Sequence, residues 1–316
     1  MKRILALVCI VLFASACDPG SSNNGNNGNN VNNLPNPCGN VGGASYEYVI
    51  SDIYVPQSLA EGVGVDYDAN GSIDNKLSSL MSLLLSESTE FQINDNLDES
   101  IANGTLIVLG RIMAETFTGD PDLSLSLFQG TYTGTYTADI LSGSGTFTWD
   151  STSPNVGTLC GRVYGAGMLQ AGPGDITLSL PVNDTMTLSL VLHHARMEGI
   201  ASADGWTDMV IAGAVLPADL KNTIIPNYVD NVNADIIADP VGSQFILDTF
   251  DNACSTELAG CAGSPECAAD GVITETELQC NSIINTILTP DVTIEGVQYV
   301  SFGIRVQAVT ADITNL

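Results

Sequence analysis

The sequence predicts an α+β, β-rich fold, an antiparallel sandwich or barrel with short peripheral helices. Short segments rich in Thr and in branched or aromatic residues follow one another closely, and Gly, Pro, Asn or Asp separates them. Helical periodicity is weak between these segments, which favours antiparallel pairing over a parallel sheet. Beyond residue 40 about 280 residues remain, enough for one large domain or two smaller ones with a proper hydrophobic core.

The first predicted elements are a strand, a helix and a series of strands. Alternation in SYEYVISDIYV predicts a strand within 44–55, and leucines at helical spacing predict a short amphipathic helix over 76–86. Seven further strands are predicted at 105–113, 123–128, 131–138, 145–149, 176–180, 186–192 and 209–216.

The last third of the chain adds helices and one strand. Pro217 favours a helix start, and we expect Pro226 to stop or bend that helix. Weaker helical patterns follow at 242–252 and 278–288. The strand pattern at 298–309 is expected to rejoin the main sheet, which favours one domain with inserted segments.

The N-terminus has the layout of a secretory signal. Met1-Lys2-Arg3 precedes an apolar run too short to span a bilayer, and Ala14-Ser15-Ala16 precedes Cys17. This cleavage site resembles the lipobox of bacterial lipoproteins, although Ala14 stands where Leu is usual. The resemblance implies a lipid on Cys17 and a place in the bacterial cell envelope, with the inner and outer membranes both open. Ordinary secretion is the alternative.

Three regions are predicted along the chain. Residues 1–17 form the signal, and residues 18–40 form a disordered tether that contains SSNNGNNGNNVNNLPNP. Residues 41–316 form a β-rich body with an inserted Cys-rich segment at 251–290. A flexible stretch of about 20 residues has a root-mean-square reach of roughly 25 Å, which is enough to hold a body near a membrane.

The charge balance excludes one class of partner. Residues 1–17 contain Lys2 and Arg3 but no acid, so the remaining chain has 6 basic and 36 acidic residues and a formal charge of −30. Such a chain does not neutralise a row of phosphates, which excludes nucleic acid. The acidity makes divalent cations plausible, although it also serves solubility alone.

The even number of cysteines beyond Cys17 predicts disulfides in an exported chain. They are Cys38, Cys160, Cys254, Cys261, Cys267 and Cys280. The last four crowd together, so two bridges are expected among them, which leaves Cys38 to pair with Cys160. A structural zinc site in the four clustered cysteines is the alternative, but their spacing contains no C-x-x-C pair.

The stretch DYDANGSID carries the most specific motif. Oxygen ligands on alternate residues converge on a hard cation such as calcium if the chain turns sharply between them, and Gly71 permits that turn. The stretch resembles the EF-hand-like loops of exported bacterial proteins, with Ile73 expected to anchor it in the core. Leu77 stands where a full EF-hand has its closing Glu, and a polar turn that caps the next helix is the alternative. The expected ligands, at loop positions 1, 3, 5, 7 and 9, are Asp66, Asp68, Asn70, the carbonyl of Ser72, and Asp74.

A second stretch, DGVITETEL, resembles the back half of an EF-hand and makes the Cys-rich segment an EF-hand-like one. Its front half is poor, because Ala268 offers no oxygen at position 3. The alternative is a decayed loop in which disulfides have replaced the metal. The candidate ligands are Glu266, Asp270, the carbonyl of Val272, Thr274 and Glu277.

No catalytic motif is evident. His193 and His194 are the only histidines, and neighbours on a strand are expected to point to opposite faces. The two calcium-type loops on a lipid-anchored acidic chain resemble those of a group of uncharacterised bacterial lipoproteins. The sequence therefore predicts a non-enzymatic, envelope-displayed lipoprotein that binds calcium and acts as a structural, binding or adhesion module toward an envelope protein or glycan. A carrier of a hydrophobic ligand and a glycan-active hydrolase with two carboxylates are the alternatives.

Overall fold

The protein is described by a computed structural model that covers residues 38–39, 41–77, 93–150, 157–181, 187–251 and 253–314. The signal, nearly all of the tether and most of the helix predicted at 76–86 lie outside these residues. The described body contains ten strands together with short helices. The strands are β1 (Ala44–Tyr54), β2 (Val108–Ala114), β3 (Asp120–Thr131), β4 (Gly145–Trp149), β5 (Gly157–Val163), β6 (Met168–Pro181), β7 (Thr187–Ser202), β8 (Gly205–Val215), β9 (Val292–Ile294) and β10 (Val297–Thr314).

Eight of these strands form a closed antiparallel β-barrel. The hydrogen-bonded ring runs β1–β2–β3–β5–β6–β7–β8–β10 and returns to β1. Closure leaves these strands without an open edge, which is the usual way an antiparallel sheet avoids unpaired backbone groups. Of the two predicted architectures, sandwich and barrel, the structure is the barrel. The C-terminal strand β10 rejoins the sheet as expected.

A smaller circuit shares one wall with the barrel. Strand β4 pairs antiparallel with the end of β3 and parallel with the end of β10, so β1, β2, β3, β4 and β10 also close on themselves. Side chains alternate between the two interiors because neighbours on a strand point to opposite faces. Tyr48 and Ile50 belong to the barrel core, whereas Val49 packs with Leu109, Phe128 and Phe147 in the smaller core.

Large side chains occupy the barrel interior. Tyr48, Phe302 and Trp206 are almost fully buried and belong to one continuous cluster with aliphatic residues from every barrel strand. Trp206 lies directly against the backbone of β2, where a Cβ at Gly110 would come within 2.2 Å of its ring. A barrel of eight strands is just wide enough for side chains to fill or for one small ligand.

One helix that the sequence analysis did not predict crosses the barrel. Helix α1 (Ile93–Asn103) contacts both β1 and β6, which lie on opposite sides of the ring. Its buried face, formed by Ile93, Leu97 and Ile101, joins the barrel core. Because it reaches strands on opposite sides, α1 covers one end of the barrel.

The expectation that Pro226 stops its helix was wrong, because the helix continues through this proline. An α-helical turn (Pro217–Asp219) and a π-helical turn (Leu220–Ile224) lead directly into helix α2 (Ile225–Ala238), which contains Pro226. Proline has no N–H for the hydrogen bond to residue i−4, and it crowds that carbonyl. The wider π-helical turn lies just before the proline, where it accommodates the missing hydrogen bond and the bulk of the proline ring.

The Cys-rich segment is built of short helices and two interleaved disulfides. Helix α3 (Gln244–Phe250) precedes it, and α4 (Glu275–Cys280) and α5 (Ser282–Leu288) replace the single helix expected at 278–288. Asn281 breaks the helix, because its side chain accepts hydrogen bonds from the N–H groups of Ile283 and Ile284 as an N-cap. The disulfides of the described body are Cys38–Cys160, Cys254–Cys267 and Cys261–Cys280.

Two strand predictions need correction. The chain at 132–137 is loop and leads into a 3-10 helix (Ala138–Ser142), and two tyrosines of the loop, Tyr132 and Tyr136, pack against the smaller core. Strand β5 and the first half of β6 were missed because glycines interrupt their apolar pattern. Gly161 is required there, since a Cβ would come within 2.2 Å of the carbonyl oxygen of Gln170 on the paired strand.

Candidate functional site

The first calcium-type loop is fastened to the barrel at its base. A bridge pairs Val65 with Asp74, whose N–H donates to the Val65 carbonyl (3.1 Å). Asn75, which is buried, hydrogen-bonds β10 in both directions: it donates to the carbonyl of Gly303 (2.8 Å) and accepts from its N–H (2.9 Å). The bridge thus closes the base of the loop and Asn75 joins that base to β10, while residues 69 to 73 are exposed.

Hydrogen bonds inside the loop curl it around the carboxylate of Asp66. That carboxylate accepts the N–H of Gly71 (2.8 Å) and of Asn70 (3.1 Å). Gly71 has φ of 86° and Ala69 has φ of 57°, both in the left-handed region that produces a sharp turn. The Gly71 N–H is the main cause that keeps the pKa of Asp66 below its usual value, so this carboxylate stays ionised.

Three carboxylates converge in this loop. Oxygens of Asp66, Asp68 and Asp74 all lie within 4.8 Å of one another, and this is the only such group of His, Cys, Asp or Glu among the described residues. Within the described residues none of these three carboxylates forms an ion pair. The single pair found there joins His193 and Asp175. Three carboxylates of like charge therefore surround one point without a cationic side chain, which disfavours the arrangement unless a cation enters.

The pKa of the third carboxylate, Asp74, reflects the nearby negative charges. Burial raises the pKa of Asp74 above its usual value, and the neighbouring charges of Asp68, Asp291 and Asp66 raise it further. A hydrogen bond from the Tyr67 N–H (2.7 Å) acts in the opposite direction. A cation at the centre of the group would reverse the repulsive contribution.

Asn70 and Ser72 are placed differently from the three acids. The Asn70 side chain donates to Asp68 (2.9 Å) and accepts the N–H of Ser72 (2.7 Å), so both of its polar atoms already have partners inside the loop. Ser72 is exposed, and only its carbonyl was expected to serve as a ligand. Ion binding by Asn70 would require its amide to turn away from the Ser72 N–H.

The expectation that Ile73 anchors the loop in the core was wrong. Its side chain is 40% exposed and covers the backbone of Gly64, where a Cβ would come within 2.7 Å of it. Tyr67 is the real anchor. Its ring lies beneath the guanidinium of Arg196 (5.5 Å), and its hydroxyl donates to the His194 carbonyl on β7 (3.2 Å).

Asp291 is an additional acid near this loop that the sequence did not reveal. Leu77, at the position of the usual closing Glu, is fully buried in the core. Two residues after Asp74, the N–H of Lys76 donates to the Ser301 hydroxyl (2.9 Å), and Asp291 accepts both the N–H (2.8 Å) and the hydroxyl of Ser301. Asp291 is far from the loop in sequence, so only the fold brings its charge close to Asp74.

The second loop contains an equivalent of Asp66 that comes from outside the loop. Asp251, just after α3, accepts the N–H of Gly271 (2.9 Å) and of Asp270 (3.3 Å). These are the same two loop positions whose N–H groups Asp66 accepts in the first loop. Glu266, expected at position 1, instead accepts a hydrogen bond from the Thr276 hydroxyl.

Two of the other expected ligands of the second loop, Thr274 and Glu277, are engaged in capping helix α4. Thr274 accepts the N–H of Glu277 (3.1 Å), and the Glu277 carboxylate accepts the N–H of Thr274 (2.9 Å), which is a reciprocal capping box. Glu277 is fully buried. Val272, whose backbone carbonyl was expected to be a ligand, is 48% exposed. Ile273 is anchored, because Asn233 of α2 bonds its N–H (2.8 Å) and carbonyl (2.7 Å). The structure does not bring the five expected ligands of this loop into one group.

The prediction that the two histidines point to opposite faces was wrong. Their ring centroids lie 5.9 Å and 5.7 Å from the ring of Tyr299. The register between β7 and β8 shifts between His193 and Arg196, and His194 has φ of 50°, so a bulge breaks the alternation. His193 also lies 3.4 Å from the Asp175 carboxylate.

Comparison with known proteins adds no relative. No protein-family model, curated protein or solved structure matches the chain. No helix within the described ranges has the length and apolar character needed to cross a bilayer. The geometry of the loops, the barrel and the surface is therefore the basis for assigning a function.

Proposed function

We propose that the protein is a lipid-anchored, envelope-displayed lipoprotein whose first loop binds calcium and locks that loop onto the barrel. The role is structural or binding and is not enzymatic. The convergence of the Asp66, Asp68 and Asp74 carboxylates within 4.8 Å, without a cationic side chain, is the observation that carries the proposal. Calcium prefers carboxylate and carbonyl oxygens in a flexible cage of six to eight ligands.

The surroundings of the loop support a stabilising role for the ion. The Val65–Asp74 bridge closes the base of the loop, Asn75 next to it bonds to β10, and Tyr67 near the start of the loop bonds to β7. A cation that holds the three acids together would therefore join β7, β10 and the loop through existing contacts. An ion that binds only the folded chain raises stability by mass action.

A calorimetric calcium titration of the full chain tests the ion site. We expect saturable binding in the wild type, its loss in Asp66→Ala and Asp68→Ala, and its retention in Asp204→Ala. Asp204 is an exposed acid in the β7–β8 hairpin, so its variant controls for the loss of one charge. Binding that survives in both loop variants, or a flat wild-type titration, would contradict the proposal.

Lipid attachment rests on the resemblance of residues 14–17 to a lipobox and is tested separately. We expect cells that express the full chain to incorporate labelled palmitate into it, and the Cys17→Ala variant to remain unlabelled and leave the membrane fraction. Equal labelling of the two would disprove attachment at Cys17. Since Cys17 lies outside the ion site, the two parts of the proposal succeed or fail independently.

A carrier of a hydrophobic ligand is the second candidate, because the closed barrel is compatible with one. An eight-stranded barrel has room for one small ligand if its side chains leave space. Mass spectrometry of organic extracts from the purified chain tests this idea. A stoichiometric lipid or other apolar molecule would favour the carrier, whereas an empty extract would favour display.

A further inference from the structure

A row of exposed apolar side chains lies on the outer surface of β6 and β7 and on the residue that follows β5. Met168 and Ile200 are directly opposite each other on β6 and β7, and the Tyr164 N–H donates to the Met168 carbonyl (2.7 Å). Tyr164, Met168 and Ile200 are 43%, 54% and 47% exposed. We call these three residues the apolar row. Exposed apolar side chains that adjoin one another are candidates for contact with another body.

The next row on the same surface is polar. Arg162 lies opposite Gln170, and Gln170 lies opposite Glu198. The guanidinium of Arg162 is 5.9 Å from the Tyr164 ring centroid, so one of the few cations of this acidic chain borders the apolar row.

The segment that precedes the described body is fastened to this surface. Cys38 is disulfide-bonded to Cys160, an exposed residue of β5, with a Cα–Cα distance of 5.2 Å. Cys160 is four residues before Tyr164, which corresponds to roughly 13 Å along a strand. The N-terminal segment therefore leaves the body at this surface. A membrane anchor on that segment would turn this surface toward the membrane.

We propose that the apolar row docks on the lipid bilayer that carries the anchor. This inference rests on the proposed lipid attachment at Cys17. Twenty residues lie between Cys17 and Cys38, and a segment of that length that is as flexible as its Asn/Gly-rich sequence predicts has a root-mean-square reach of roughly 25 Å. The tether thus holds the Cys160 surface within reach of the headgroups, where Tyr favours the interface and Met and Ile reach the acyl boundary.

Charge separates this surface from the other exposed apolar group of the described body. Ile237, Val241 and Phe245 are 81%, 86% and 50% exposed, but Asp239 and Asp248 border them. No disulfide joins that helical turn to the N-terminal segment, as the three bridges seen in the described residues lie elsewhere. Beside the apolar row Arg162 attracts headgroup phosphates and offsets the repulsion from Glu198, whereas Asp239 and Asp248 both repel them at the turn.

Fluorescence quenching by brominated phosphatidylcholine tests which surface meets the bilayer. The full lipidated chain is reconstituted in phosphatidylcholine vesicles as Met168→Trp and, as the matched control, as Phe245→Trp. After subtraction of the wild-type emission from Trp149 and Trp206, we expect loss of emission in bromolipid vesicles at position 168 and none at 245. Both substitutions replace an exposed apolar side chain and are therefore tolerated by the core.

Flotation of the same vesicles separates the two proposals. A chain that floats without quenching at 168, or with quenching at 245 instead, overturns the docking surface and leaves the anchor intact. A wild type that does not float overturns the anchor and the docking together. In the Met168→Trp chain, Cys38→Ala with Cys160→Ala should preserve flotation and reduce quenching, because the tether then no longer leaves from β5.

Discussion

Calcium should reverse the order of thermal stability of the wild type and an Asp74→Asn variant. Asp74 is the most buried of the three converging acids, and its pKa is raised by burial and by its acidic neighbours. Asn has the same shape and still accepts the Tyr67 N–H through its carbonyl, so the loop keeps its backbone hydrogen bonds. Without calcium the variant loses one repulsive charge and should unfold at the same temperature as the wild type or a higher one.

With calcium the order should reverse. An ion present at 100 times its Kd stabilises the folded wild type by about 2.7 kcal/mol. For a domain of this size that corresponds to a rise in Tm of roughly 5–10 °C. A carboxylate about 2.4 Å from a divalent ion contributes about 3 kcal/mol even at the dielectric constant of water. Asn retains part of that as a neutral ligand, so we expect at least about a tenfold weaker Kd.

Thermal unfolding followed by circular dichroism, in chelator and in excess calcium, measures both effects. Asp204→Asn is the matched control for the loss of one exposed acid and should follow the wild type under both conditions. The reasoning fails if Asp74→Asn lowers Tm in chelator and leaves the calcium-induced rise unchanged. That result would mean that Asp74 stabilises the loop by itself and takes no part in ion binding.

Three further predictions concern the pH dependence, the second loop and the barrel core. Since the pKa of Asp74 is raised, a proton competes with calcium at higher pH than at an ordinary Asp. Calorimetry should show affinity falling as pH drops through that raised pKa, and a pH-independent affinity would exclude Asp74 as a ligand. Asp251→Ala should speed amide hydrogen exchange at Gly271 more than Glu266→Ala does, because Asp251 accepts that N–H, and equal rates would contradict this. Gly110→Ala should lower the free energy of unfolding in urea by roughly 1–3 kcal/mol, because its Cβ meets the Trp206 ring, and unchanged stability would show that the ring moves aside.

The sequence revealed the strands whose apolar pattern is unbroken. Strands β1, β4 and β8 and the final strand β10 correspond to predicted segments, and their alternation places Tyr48 and Phe302 in the core. Strand β5 was missed because Gly157 and Gly161 interrupt it, although those glycines are what allow close approach to β6. Helix α1 was missed because its polar residues outweigh the three that it buries.

Long-range contacts explain what remained hidden at the candidate sites. The spacing of DYDANGSID brings Asp66, Asp68 and Asp74 together because the loop is local and Gly71 turns it. Asp251 lies 20 residues before the Gly271 N–H that it accepts, so no local motif contains both. In the same way, a bulge that only the pairing of β7 with β8 reveals brings both histidines to Tyr299.

A crystal structure of the full chain grown in calcium would show directly whether the first loop holds an ion. We expect an ion between Asp66, Asp68 and Asp74, with oxygen ligands at about 2.3–2.6 Å. We also expect an Asn70 side chain that has released the Ser72 N–H if its amide oxygen becomes a ligand. A loop that keeps the same hydrogen bonds with no ion at its centre, while calcium is in large excess, would contradict the account.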